Sequence, residues 1–425
     1  MKLLVCDVEG TLIKQHRLKD AQHSSYIWTS IAQSLGRAAE REELATQKKW
    51  HSGGYHGKDG EAYIDWIHDS IEIHIKHNLT ESTFNRIIEN APYVKGVLRF
   101  FRFLDRTKYI PVLVSGGMHN LNEKLCRELG IDINDSYAAC KYYFNAEGNI
   151  DRDLTFADTC DFQGKSELVR ILLRKYGLAE SDLVVIGDGA NDVNIAKWAN
   201  QMGAVSIGIS PIDTMRGIAA RSYDNFLDMM DDTEFMAEHA FLTHEPQPEP
   251  SQAEPLTARE YAHERLARQI GRLNLSGLES LAIARLESVV GHIEPYKRRR
   301  FEGIEKLLEH GELSLALISA EIGNAPIVSA LLQPFTNAAE SMFYVYLALT
   351  TEETFFKRLL GGNPSLREFR EHIDNTDLRI VLREYFRNRN ISAHTCQEIP
   401  IDAAQTFIRR TYEIIQRLEL IIHDA

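Results

Sequence analysis

KLLVCDVEGT, residues 2–11, is a short apolar run that ends on an acidic turn. Three later runs have the same form: YIPVLVS (109–115), DLVVIGD (182–188) and GAVSIGI (203–209). Each is short, rich in aliphatic and β-branched residues, and bounded by turn formers. That is the pattern of a strand covered on both faces. Helical patterns fill the intervals, so the expectation is a doubly wound α/β domain with a parallel sheet. Residues 15–90 interrupt the alternation. IWTSIAQSLGRAAEREELA and YIDWIHDSIEIHI have helical periodicity, and HSGGYHGKDG (51–60) between them is too rich in glycine for an element. The interval reads as a helical insertion placed directly after the first strand.

HEPQPEPSQAEPL, residues 244–256, holds Pro246, Pro248, Pro250 and Pro255 and reads as a semi-extended linker. It separates a domain over 1–243 from a part over 257–425 in which every long segment has helical spacing, as in LESLAIARLESVVGHI and AAQTFIRRTYEIIQRLELII. The expected architecture is therefore an α/β domain with an inserted helical cap, followed by an all-α domain. A length of 425 residues fits two or three domains at about 100–200 residues each. No apolar run approaches the roughly 20 residues that span a bilayer, which argues against a membrane protein. The N-terminal run lacks the flanks of a signal peptide. Five cysteines without a CxxC spacing argue against a disulfide framework and a zinc knuckle, and fit a reducing cytoplasm. The net charge of −13 is uneven. From Ser251 onward 21 cations face 24 acids, and all but Lys297, Lys306 and Lys357 are arginines. Arginine suits phosphate and bases, and equally serves as a surface ion-pair partner.

Four segments close a strand or open a helix: Asp7-Val8-Glu9-Gly10-Thr11, Val114-Ser115-Gly116-Gly117, Gly164-Lys165-Ser166 and Gly187-Asp188-Gly189-Ala190-Asn191-Asp192. In an open parallel sheet ligands sit beyond the carboxyl ends of the strands, so all four can converge on one crevice. A carboxylate there can attack phosphorus and form an aspartyl-phosphate. A second carboxyl two residues on can protonate the leaving oxygen and then activate water. Paired carboxylates favour Mg²⁺, and a hydroxyl, backbone amides and a lysine hold phosphate oxygens. Any one of these segments alone is an ordinary turn.

Together, DVEGT, VSGG, GKS and GDGAND resemble the motifs of the haloacid dehalogenase superfamily of phosphatases, in particular its phosphoserine phosphatase-like branch. The resemblance covers roughly residues 1–230, and that branch carries a helical cap where residues 15–90 lie. It implies that Asp7 is the nucleophile and Glu9 the general acid/base. Ser115 and Lys165 would bind the phosphoryl group together with Gly116. Mg²⁺ would be held by Asp7, the carbonyl of Glu9, and Asp188, supported by Asp192, and Asn191 would face the substrate. Two positions depart from the pattern. Glu9 stands where the family usually has Asp. His16, with Arg17 beside it, stands where phosphoserine-specific members carry an acid that meets the substrate amine. That basic pair would repel an ammonium and suit an anion or nucleotide; its plainer reading is a cap hinge. His51, His56 and Lys58 in the glycine-rich loop are further candidate contacts, or simply a cap turn.

Near the end lies Arg389-Asn390-Ile391-Ser392-Ala393-His394. An arginine and a histidine close together can cut RNA without metal, using its 2′-hydroxyl as nucleophile. The pattern resembles the Arg-Asn-X-X-X-His signature of HEPN domains over about residues 325–425. It implies a metal-independent ribonuclease, carried by Arg389, Asn390 and His394, that works as a homodimer, often in antiviral or stress defence. Lys297-Arg298-Arg299-Arg300 offers a phosphate contact or a helix-end charge cluster. The joint expectation is a Mg²⁺-dependent phosphomonoester hydrolase acting on a phosphorylated small molecule, nucleotide or RNA end, fused to an RNA-cleaving module. Two alternatives stay open: a small-molecule phosphatase whose helical domain only dimerises it, and a phosphate-ligand sensor that regulates that domain.

Overall fold

The computed structural model describes residues 1–16, 18–19, 25–55, 59–157, 163–243, 245–246, 266, 269–270, 273–321, 332–352, 373, 378–383, 385 and 401–424. The chain divides into two units. One comprises Met1–Leu173 with Gly177–Ser251, the other Arg174–Tyr176 with Gln252–Ala425.

In the first unit β1 (Lys2–Cys6), β2 (Tyr109–Met118), β3 (Ser136–Lys141), β4 (Phe156–Ala157), β5 (Leu183–Gly187), β6 (Val205–Ile209) and β7 (Arg221–Tyr223) form one sheet, ordered β4-β3-β2-β1-β5-β6-β7. Strand β1 lies at the centre, with Cys6 opposite Leu113 of β2 and Ile186 of β5. Its residues Leu3, Leu4, Val5 and Cys6 are fully buried, which explains a continuous rather than alternating apolar run. The four strands expected from the sequence are all present, but three more were not legible. β4 and β7 have two and three residues, too few to display a period. SYAACK of β3 is small and part-polar, so it lacks the aliphatic signature. β4 pairs antiparallel with β3, so the sheet is parallel except at that edge.

Between β1 and β2 come α1 (Tyr26–Leu35), α2 (Arg37–His51), α3 (Asp59–Lys76), α4 (Glu81–Glu89) and α5 (Val97–Phe103). The insertion is helical as expected. His51, expected in a loop, instead closes α2, and Asp59 opens α3. Helices α1, α2 and α3 pack on one another around Trp28 and Trp66, whose rings meet edge-on at 5.3 Å. His74 of α3 joins them, its Nδ1 2.7 Å from the hydroxyl of Tyr142. Burial holds this imidazole neutral, down to about 3. Further helices are α6 (His119–Leu129), α7 (Gln163–Tyr176), whose last three residues belong to the second unit, and α8 (Val193–Gln201).

The second unit is helical over its described residues. Its helices Leu275–Val290, Ile304–Glu321 and Ile401–Asp424 each pack against Gln333–Thr350. That central helix is apolar nearly all round, burying Phe335, Met342, Phe343, Val345 and Leu347, as a helix enclosed by others must. Tyr412 donates to the buried Glu312 at 2.7 Å. The basic run is part of a helix end: Arg298 pairs with Glu302 and Glu287, and Arg300 lies over the ring of Tyr344. Among the described residues no helix is long and apolar enough to cross a membrane. Cys6, Cys126 and Cys140 are buried.

Candidate active site

β1 and β5 are neighbours and end level with each other, so the residue after each strand arrives at the same place. Asp7 follows β1, with its amide donating to the Ile186 carbonyl at 2.9 Å. Asp188 follows β5. The tight turn after it brings back Asp192, whose Oδ2 accepts from the amides of Asp188 and Gly189, both at 3.0 Å. Lys165, on the first turn of α7, donates to Asp7 Oδ1 at 2.7 Å and to Asp192 Oδ1 at 2.6 Å. These four side chains are between 1% and 4% exposed.

The carboxylates of Asp7, Asp188 and Asp192 each bring an oxygen within 4.8 Å of the others. Asp7 and Asp192 share the Lys165 ammonium, and Asp188 lies beside them. Burial, then the charges of Asp7 and Asp192, push the Asp188 carboxyl well above its usual range, with Thr11 and Lys165 opposing. A buried cluster of carboxylate oxygens fits a hard divalent cation such as Mg²⁺. Asp188 is further held by Thr11 Oγ1 at 3.0 Å and Gln15 Nε2 at 2.7 Å.

The glycines between these acids leave them room. A Cβ on Gly10, which has φ +98°, would lie 2.2 Å from Asp188 Oδ2. One on Gly187 would lie 2.4 Å from Asp192 Cγ, and one on Gly117 2.5 Å from Glu9 Oε1 and 3.3 Å from Ser115 Oγ. Glu9 and Ser115 thus meet around the bare Cα of Gly117. Ser115 is buried, and its Oγ accepts the Gly117 amide at 3.0 Å.

Glu9 reaches away from the sheet into the insertion. Its Oε2 accepts from Ser25 Oγ at 2.5 Å, Tyr26 N at 2.6 Å and Ile27 N at 3.3 Å. These donors are the N-cap and first turn of α1, where amide hydrogens have no partner within the helix and the dipole favours an anion. From α3, Tyr63 donates its hydroxyl to the carbonyl of Gly116. Asn191 is half-buried beside Asp192. The His16 side chain is exposed, while its carbonyl accepts from Ser25 N at 2.9 Å and Thr29 Oγ1 at 3.3 Å.

The structure therefore brings Asp7, Lys165, Asp188 and Asp192 into one cluster, with Glu9 and Ser115 meeting at Gly117. Arg17, His56, Lys58, Arg389, Asn390 and His394 lie outside the described residues. Sequence reasoning missed Gln15, Ser25 and Tyr63. Ser25 carries a readable cap signal, a serine just before an apolar helical run. Its carboxylate partner, 16 positions earlier, carries none.

A family profile described as a hydrolase, haloacid dehalogenase-like hydrolase, matches residues 1–200. The N-terminal half of the chain is a haloacid dehalogenase-like hydrolase domain. This hydrolase domain has relatives among phosphoserine phosphatases. One from Haemophilus influenzae is 28% identical over 113 residues, covering 27% of this chain and 34% of that protein. One from Wolinella succinogenes is 27% identical over 120 residues, covering 28% and 56%. The chain thus spans about a third to a half of the length of these two curated relatives. A solved structure of a substrate-bound phosphoserine phosphatase complex superposes with a TM-score of 0.42 at 20% identity, over 55% of this chain and 97% of that one.

Proposed function

We propose that the hydrolase domain is a Mg²⁺-dependent phosphomonoester hydrolase working through an aspartyl-phosphate on Asp7. The observation that carries this reading is the buried cluster in which Lys165 bridges Asp7 and Asp192 beside Asp188. A lysine in that position holds the nucleophile in place and offers a positive charge to an incoming phosphoryl group.

Asp7, Asp188 and the carbonyl of Glu9, supported by Asp192, would hold the metal. When bound, Mg²⁺ would supply charge neutralisation to the phosphoryl oxygens. The Asp7 carboxylate attacks phosphorus, and the bond from phosphorus to the ester oxygen breaks. Glu9 delivers its proton to that leaving oxygen. Water then attacks the phosphorus of the acyl phosphate while Glu9 takes up its proton, releasing inorganic phosphate and restoring Asp7. Ser115 and the backbone around Gly116 and Gly117 orient the phosphoryl group, and Asn191 faces the substrate. The test is hydrolysis of 4-nitrophenyl phosphate by purified protein. Activity that requires Mg²⁺ and disappears in Asp7→Asn supports the reading. Binding of phosphate without turnover in the wild type replaces it with the sensor reading.

RNA cleavage by the second unit rests on the sequence pattern of Arg389, Asn390 and His394 within an arginine-rich stretch of sequence, and RNA and a second copy of the chain as partners rest on the same motif. Its test is total tRNA incubated in EDTA with wild type and His394→Ala. Cutting by wild type alone supports it, and intact RNA with both removes it.

A further inference from the structure

Asp7 and Asp192 are held by the Lys165 ammonium, whereas Asp188 is held by a different pair of donors. Thr11 Oγ1 donates to its Oδ1 at 3.0 Å, and Gln15 Nε2 donates to its Oδ2 at 2.7 Å. The torsion that turns a carboxylate about its Cβ–Cγ bond is soft, so a single bond leaves the group able to rotate. Two donors, one on each oxygen, fix its plane. The two oxygens of a carboxylate have about four lone-pair sites, so these two bonds still leave room for an ion. The amide nitrogen of Gln15 is a donor only and cannot ligate a cation. Its place is beside an ion bound at Asp188, not among the ligands.

The two donors come from different places along the chain. Thr11 is fully buried in the loop after β1. Beyond it, the segment that enters the insertion pairs with the segment that leaves it: Val94 N donates to the Leu12 carbonyl and Lys14 N to the Pro92 carbonyl, both at 2.8 Å. Gln15 is the first residue past this pairing. The next residue, His16, is tied to α1, because its carbonyl accepts from Ser25 N and Thr29 Oγ1. Gln15 itself is exposed, so water can satisfy its amide without any protein partner. It bonds nonetheless to a carboxylate that is 3% exposed. Solvation of the glutamine does not require that bond, whereas the orientation of Asp188 does.

Building on the metal site in the hydrolase reading above, we propose that Gln15 is a positioning residue for Mg²⁺, which sets the Asp188 carboxylate for the ion from the entrance of the insertion. Hydrogen-bond partners of metal ligands commonly change metal affinity by about 10–100-fold. Mg²⁺ demands near-ideal octahedral geometry, whereas Ca²⁺ accepts irregular sets of oxygens. Loss of the Gln15 bond therefore costs Mg²⁺ more than Ca²⁺.

Calorimetric titration of the full chain with Mg²⁺ and, separately, with Ca²⁺ gives both Kd values in wild type, Gln15→Leu, Gln15→Met and Asp188→Asn. Leucine and methionine remove the donor at similar volume, one branched and one not. The expected result is a Kd for Mg²⁺ raised about tenfold or more in both Gln15 variants, with a smaller change for Ca²⁺. Urea unfolding in EDTA reports folding separately, and a merely structural role would lower that midpoint while leaving the preference between the two ions unchanged. An unchanged Mg²⁺ affinity, or an equal loss for both ions, overturns the proposal. So does tighter binding of Mg²⁺, which would mean that the Gln15 amide stands in the ion's own place. Each of these leaves the hydrolase reading standing. If wild type binds no Mg²⁺, or Asp188→Asn binds it as tightly as wild type, the metal site falls and takes both readings with it.

Discussion

The hydroxyl of Ser25 donates to Glu9 Oε2 at 2.5 Å while its oxygen accepts from the Trp28 amide at 3.4 Å. One small side chain thus caps α1 and holds the candidate acid/base. With the amides of Tyr26 and Ile27 on the same oxygen, the start of the inserted cap is built onto a residue of the sheet's first loop. The extra methylene of glutamate over aspartate lets Glu9 extend to the start of α1. The start of the cap is therefore held by the residue proposed to exchange a proton with substrate.

Replacing Ser25 by alanine removes both bonds. The expected cost is about 1 kcal/mol of stability, the usual loss for an N-cap, read from the urea midpoint at constant slope. Ser25→Thr keeps the hydroxyl and should recover most of that loss. Equal midpoints for wild type and Ser25→Ala would show that α1 starts without this contact.

The contrast between Asp7 and Ser25 shows what was legible in the sequence. Asp7, Lys165, Asp188 and Asp192 each sit at the end of a strand or the start of a helix, Ser115 lies within the last four residues of β2, and residue type plus local pattern suffice to mark them. The central strands were equally legible, because burial on both faces forces unbroken apolar runs. Contacts of Ser25, Gln15 and Tyr63 depend on how a helical insertion folds back over the loops, which no local pattern encodes. β4 and β7 exist because a sheet edge is there to pair with, so their sequences carry little of their own signal.

Lys165 is 1% exposed, and its ammonium touches two carboxylates. Lys165→Met would remove the ammonium that Asp7 and Asp192 share. The expected loss is about 3–5 kcal/mol in metal-free buffer, the range for breaking a buried ion pair from one side. Mg²⁺ should restore part of it, because binding to the folded state alone stabilises it by mass action. Thermal melts of both proteins with EDTA and with Mg²⁺ test this. A variant as stable as wild type in EDTA would count against the charge balance described for the site.

Glu43, on α2, is fully buried against Ser70 and Gln47, and burial pushes its carboxyl up to about 7 despite those hydrogen bonds. In the unfolded chain it titrates near the ordinary glutamate value, about 4.3. Between those two values the folded state holds a proton that the unfolded state has released, so stability falls as pH rises through the window. Above about pH 7 the whole penalty is present, on the order of a few kcal/mol. Glu43→Gln imitates the protonated form and should be more stable than wild type at pH 8, with the advantage vanishing near pH 4. Urea unfolding of both proteins at pH 5 and pH 8 measures it. A gap of the same size at both values would assign the effect to packing instead.

Gly10 and Gly36 separate backbone strain from site geometry. Both have positive φ, +98° and +94°, so an alanine at either is strained by about 1–3 kcal/mol. They differ in what a Cβ would meet. At Gly36 no described residue lies within 4 Å, whereas at Gly10 the Asp188 carboxylate lies at 2.2 Å. Gly36→Ala should therefore lower the melting temperature yet keep the rise in stability that Mg²⁺ produces. Gly10→Ala should lower it and also lose that rise, because Asp188 is driven out of the cluster it shares with Asp7 and Asp192. The comparison needs only melts in EDTA and in Mg²⁺, and a Mg²⁺ response surviving in Gly10→Ala would remove Asp188 from the proposed metal site.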